Sequence, residues 1–169
     1  SSLLNIAKKP VILVGQGCND YSKELREFAI KSNIPVTTTI HAMGVFDETH
    51  KLSLEFLGMH GNVAANYGLQ EADLIIALGS RFDDRTTGHL KYYAPKAKES
   101  GKNYTGGIIH VNIEGSEINK VVKSHYNFQT STKKFLNYIQ PYITYNPRHE
   151  WINYLKNIKQ KYPFEYKSS

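Results

Sequence analysis

Leu74-Ile75-Ile76-Ala77-Leu78 is an apolar run of strand length, closed at once by Gly79. Its length and composition read as a β-strand buried on both faces, which delivers a loop at its end. The ten residues that follow, Gly79 to Gly88, hold two arginines (Arg81, Arg85), two aspartates (Asp83, Asp84) and two glycines. An ordinary surface turn has no need of that mixture. At the carboxyl end of a buried strand, where α/β sheets gather their ligands, it marks a candidate site.

The rest of the chain repeats the pattern of strand, then helix. Val11-Ile12-Leu13-Val14 is a short strand ending in Gly15-Gln16-Gly17, and Leu25, Phe28 and Ala29 then fall on one helical face. Pro35 restarts an extended segment, and Val36-Thr37-Thr38-Thr39-Ile40 has the β-branched content of a second strand. A long loop is expected from Met43 to Gly61, a helix over Asn62 to Glu71, and a polar surface insertion over 96–107. Ile108 to Ile113 reads as a strand, with a helix through Ile118, Val121 and Val122 after it. A short strand over Tyr126 to Gln129 and a helix from Lys133 to Tyr138 complete the series. These units predict a doubly wound α/β domain, Rossmann-like, with five or six parallel strands and helices on both faces. The domain is expected over 1–145, with 146–169 forming a linker and a C-terminal helix that has weak contacts to the core and is directed toward a further domain. Trp151, Tyr154, Leu155 and Ile158 share one stripe of that helix, which should dock on the core or on a neighbouring chain.

Composition excludes several classes. A chain of 169 residues with 40% hydrophobic and 21% charged residues suits one globular domain. The single cysteine, Cys18, excludes an internal disulfide framework. No apolar run approaches the roughly 20 residues of a membrane span. The net charge of +6 comes from scattered lysines, a distribution that argues against a nucleic-acid surface.

Five segments carry candidate chemistry. Gly15-Gln16-Gly17 offers unobstructed backbone N–H groups where a helix begins, suited to a diphosphate, although Asp20 occupies the third glycine position of a dinucleotide fingerprint. Thr39, with the backbone of Ile40 and His41, comes at the end of the second strand. Leu57-Gly58-Met59-His60-Gly61 lets backbone approach a flat ligand, with Met59 as an adaptable apolar contact. In the loop after Leu78, Gly79 and Ser80 lead to Arg81, which can clamp a phosphate or stack on a ring while Asp83 and its neighbours hold the arginines. Asn112-Ile113-Glu114 follows a strand at a position that commonly meets a ribose hydroxyl, with Asn112 or, alternatively, Glu114 as the group that binds it. The histidines are dispersed, so no metal site is expected. There is no Gly-x-Ser-x-Gly elbow, no Walker loop, and no Gly-Asp-Gly followed by paired asparagines. The sequence describes a binder without a catalytic constellation.

Gly58-Met59-His60-Gly61 together with Arg81-Phe82-Asp83-Asp84-Arg85 resembles the middle domain of acetolactate synthase catalytic subunits, thiamine-diphosphate enzymes that also carry FAD. The resemblance covers nearly the whole chain but one domain of three. It implies FAD along the strand ends, with Gly15, Gln16 and Gly17 at its diphosphate–ribityl region. Thr39, Ile40, His41, Leu57, Gly58, Met59 and His60 would lie along the cofactor. Gly79, Ser80, Arg81, Asp83 and Arg85 would form its far wall, and Asn112 and Ile113 would meet the adenosine end. Asn112 and Thr130-Ser131-Thr132 depart from the family's acidic residue and Gly-Asp-Ala, so the isolated chain is expected to hold FAD weakly.

Thiamine diphosphate, Mg2+ and the catalytic glutamate would belong to flanking domains, leaving this chain inactive alone. The resemblance further implies a homo-oligomer of the complete enzyme, a regulatory subunit, and no membrane or nucleic-acid partner. The 96–107 insertion is similar to that of fungal members, which implies a mitochondrial location; otherwise the protein would be cytoplasmic. The alternatives are the central domain of a glyoxylate carboligase or pyruvate oxidase type of enzyme, and a free NAD(P)-binding module of the same fold.

Overall fold

The computed structural model describes residues 2–15, 22–38, 46, 50–56, 63–79, 96–97, 99, 106–112 and 126–161. Strands β1 (Pro10–Val14), β2 (Val36–Thr38), β3 (Ser53–Phe56), β4 (Leu74–Leu78), β5 (Gly107–Asn112) and β6 (Tyr126–Gln129) form one sheet in the order β3-β2-β1-β4-β5-β6. Every neighbouring pair is parallel. The chain steps outward from β1 to β2 and β3, then crosses back to place β4 on the other side of β1. The strand order therefore reverses between β1 and β4.

Alternation along the central strands fills two cores. Ile12 and Val14 of β1, Leu74, Ile76 and Leu78 of β4, and Ile109 and Val111 of β5 face one layer. That layer is built from α1 (Ser2–Ile6), α2 (Ser22–Ser32) and α4 (Thr132–Ile139), which contribute Leu4, Leu25, Phe28, Phe135 and Leu136 among others. Val11, Leu13, Ile75, Ala77 and Ile108 face the opposite layer of α3 (Val63–Glu71) and α5 (His149–Lys161). Burial on both faces is why β1 and β4 read as unbroken apolar runs. Ser131 caps α4 by accepting from the Lys134 N–H at 3.2 Å.

Two expectations change. The stretch expected as a long loop contains β3, an edge strand that pairs with β2 through a register shift. Its apolar alternation, Leu52-Ser53-Leu54-Glu55-Phe56, is the strand signal within an otherwise polar segment. Residues 96–107 are not wholly a surface insertion either. Ala97 is fully buried in the α3–α5 layer, Lys96 pairs with Glu71, and Gly107 opens β5 with a φ of 131°. The helix expected through Ile118, Val121 and Val122 lies outside the described residues.

The C-terminal helix docks on its own core. Trp151 and Leu155 are buried in the second layer, with Ile158 packed against it. The Trp151 indole N–H donates to Pro10 O at 2.9 Å, and Lys159 Nζ donates to Ser53 O at 2.6 Å. Pro10 and Ser53 start β1 and β3, so α5 crosses the amino edge of the sheet. Tyr154, stacked on Trp151 with centroids 5.8 Å apart, keeps an exposed edge. Gly68 makes the close packing possible, since a Cβ there would come within 3.1 Å of the Leu54 side chain.

Arg148 fastens this arrangement. Its buried guanidinium donates from Nε to Ala7 O at 2.8 Å and from its two terminal nitrogens to Ser32 O and Leu4 O. These carbonyls come from the ends of α1 and α2, where helices leave acceptors unpaired and favour a cation. Burial pushes the guanidinium down to about 10, opposed by the Asp73 carboxylate, so it stays charged at neutral pH. Asn33, left-handed at φ 60°, donates its amide to Asn146 O and Pro147 O. Asn5 ties α1 to the same segment, donating to Tyr142 O and accepting from the Thr144 N–H, both at 3.0 Å.

Candidate functional site

The expected segments begin, in the chain, at the carboxyl edge of the sheet. Gly15 is buried directly after β1, and its N–H donates to Leu78 O at 2.9 Å, carrying the β1–β4 pairing to the last residue. Gly79 does the same one strand over, donating to Val111 O at 3.0 Å. Its φ of 63° is left-handed, a conformation that glycine adopts without the Cβ clash of other residues. Two glycines thus end the two strands that flank the reversal in strand order. In open α/β sheets that position opens a crevice for ligands.

Asn112 is the last residue of β5, beside Gln129 of β6. Gly15, Gly79 and Asn112 are the expected site residues that the structure describes, and all three stand at one edge. Gln16, Gly17, Thr39, Ile40, His41, Leu57, Gly58, Met59, His60, Ser80, Arg81, Asp83, Arg85 and Ile113 lie outside the described residues. Connectivity still starts their segments together, because they follow β1, β2, β3, β4 and β5 in the chain. With neighbouring strands about 4.8 Å apart, the five ends from β3 to β5 span about 19 Å, the scale of an extended dinucleotide.

One further residue belongs to this edge. Thr38, the last residue of β2, is 5% exposed, and its Oγ1 has no hydrogen-bond partner. In the sequence Thr37 and Thr38 are accounted for by strand propensity, and only Thr39 stands out as a candidate. The β-branched run continues to Ile40, two residues past the end of β2 at Thr38, so the sequence does not mark where the strand stops.

Among the described residues, no group of three or more histidine, cysteine, aspartate or glutamate side chains is gathered for a metal ion. No described helix is long and apolar enough to cross a membrane. The described part of the edge supplies two strand-ending glycines and a buried hydroxyl.

The family model described as "Thiamine pyrophosphate enzyme, central domain" matches residues 1–139. The chain belongs to that family. This central domain is 40% identical over 173 aligned residues to the mitochondrial acetolactate synthase catalytic subunit of Saccharomyces cerevisiae, covering 98% of the chain. It is 37% identical over 163 residues to the acetolactate synthase isozyme 1 large subunit of Escherichia coli, covering 96% of the chain. It is also 37% identical over 173 residues to a chloroplastic acetolactate synthase of Zea mays, covering 99%. The chain spans 25%, 27% and 26% of these relatives' lengths respectively. The sequence resemblance and the six-stranded parallel sheet agree with this assignment.

Proposed function

We propose that the chain is the cofactor-holding central domain of an acetolactate synthase catalytic subunit, binding FAD along the carboxyl edge of its sheet. The observation that carries the reading is the alignment of five strand ends, glycine-terminated on both sides of the β1–β4 reversal. The edge fits FAD in chemistry as well as length. Gly15 and Gly79 leave backbone unobstructed, and Thr38 holds a buried hydroxyl without a protein partner.

Gln16 and Gly17 offer N–H donors to the diphosphate in the segment leading into α2, while Gly15, its own N–H held by Leu78 O, leaves room for the close approach. Arg81 and Arg85 neutralise phosphate charge or stack on the ring, with Asp83 fixing them. Thr39 to His41 and Leu57 to His60 border the flavin half, Ser80 stands with the arginines in the far wall, and Asn112 and Ile113 border the adenosine half. Bound FAD supplies a rigid ring and a dianionic diphosphate. The condensation of two pyruvates, or of pyruvate with 2-ketobutyrate, with loss of CO2 requires no net redox change. Thiamine diphosphate and Mg2+ fall to the other domains of the complete enzyme, with which this chain would associate in a homo-oligomer with a regulatory subunit. Residence in mitochondria, as the yeast relative's name states for that protein, is part of the same reading.

Calorimetric titration of the purified chain with FAD, NAD+ and NADP+ tests it. FAD is expected to bind more tightly than either nicotinamide dinucleotide, although weakly in the isolated chain. The sheet order β3-β2-β1-β4-β5-β6 is also that of dinucleotide-binding dehydrogenase domains, which favours an NAD(P) module as the second reading. NAD+ binding tighter than FAD would establish that reading and overturn the first.

A further inference from the structure

The buried hydroxyl of Thr38 has no role in holding the sheet. Thr38 pairs with Val14 across the β1–β2 ladder through backbone alone. Two residues earlier on the same strand, Val36 packs in the layer of α1, α2 and α4, so the Thr38 side chain points into that layer at its carboxyl-edge end. Here it is 5% exposed, one strand away from Gly15, and its Oγ1 lacks any partner. Buried hydroxyls are nearly always hydrogen-bonded, and an orphan one costs stability that an apolar group of the same shape would not. The exception stands beside the crevice at the switch in strand order.

We infer that the Thr38 hydroxyl is a cofactor-binding group, making a hydrogen bond to the ribityl chain of FAD on the β2 side of the β1–β4 reversal. The inference rests on the FAD reading above and extends it to a residue outside the expected segments. Its position opposite the β5 end assigns it to the flavin half, so FMN shares the contact and ADP does not.

Thr38→Val and Thr38→Ser variants of the chain test it through two readouts: the thermal midpoint without ligand, and the dissociation constants for FAD, FMN and ADP. With the orphan hydroxyl replaced by a methyl, Thr38→Val should raise the midpoint of the free protein by about 2–4 °C. The same change should weaken FAD and FMN by about five- to tenfold and leave ADP unchanged. Thr38→Ser should retain FAD affinity within about twofold, because the oxygen stays. A lowered midpoint in Thr38→Val shows that the hydroxyl has a partner within the protein, and the inference falls. Unchanged FAD binding in Thr38→Val, with the wild-type protein binding FAD, overturns the inference and leaves the FAD reading standing. A wild-type protein that fails to bind FAD and FMN at millimolar concentration overturns both.

Discussion

Replacing Arg148 with alanine is expected to be the most damaging single change outside the sheet. The guanidinium, 7% exposed, holds three backbone carbonyls, Leu4 O, Ala7 O and Ser32 O, that no other described group satisfies in its absence. Hydrogen bonds from a charged donor contribute about 1.5–3 kcal/mol each, so three set a ceiling of about 5–9 kcal/mol. Burial of the charge, the cause of the lowered pKa, offsets part of that gain. A net loss of about 3–5 kcal/mol remains, the range for removing one partner of a buried charged contact. For a chain of this size that corresponds to about 6–20 °C in thermal midpoint.

The backbone supplies an internal control. Arg148 has a φ of 46°, which any side chain with a Cβ resists. Arg148→Gly should therefore be less destabilising than Arg148→Ala by about 1–2 kcal/mol. Arg148→Lys should fall between the wild type and alanine, because an ammonium reaches fewer of the spread carbonyls than a fork. Urea unfolding followed by far-ultraviolet circular dichroism reports the whole fold. Fluorescence of Trp151, the single tryptophan, reports the helix that begins beside the latch. A loss below about 1 kcal/mol for Arg148→Ala, or glycine costing more than alanine, would refute the reasoning.

Gly79→Ala forces a Cβ onto a left-handed residue at the crevice and should cost about 1–2 kcal/mol, read from the urea midpoint, while also weakening FAD binding. Leu155→Ala removes a side chain buried between α5 and α3 and should cost about 2–4 kcal/mol, with red-shifted Trp151 emission as the helix loosens. A neutral result at Leu155 would mean that α5 does not dock as described.

What could be read from sequence follows from where the burial lies. β1 and β4 are legible because both faces are covered, so their runs are apolar throughout. β6 and α4 were expected within a residue or so of their observed bounds. β3 was not, because an edge strand of four residues inside a polar stretch gives too little alternation to outweigh its surroundings. The aromatic stripe of α5 makes a docked helix legible, but neither the choice of its own core over a neighbouring chain nor its fastening can be read there. The carbonyl oxygens of Leu4, Ala7 and Ser32 that Arg148 holds come from segments over a hundred residues away, and carbonyls leave no mark on a sequence. At the site, the glycines after β1 and β4 were legible as punctuation of apolar runs. Thr38 was not, since a threonine in a strand looks the same whether its hydroxyl is satisfied or orphaned.

The central claim is that one ligand lies along the carboxyl ends of five adjacent strands, and hydrogen–deuterium exchange of the protein with and without saturating FAD tests it most directly. Protection should appear together at residues 15–17, 39–41, 57–60, 79–85 and 112–113, with no change at the amino-edge latch of Asn5, Asn33 and Arg148. Protection confined to one of those segments, or centred instead on the amino-edge latch, would contradict the account.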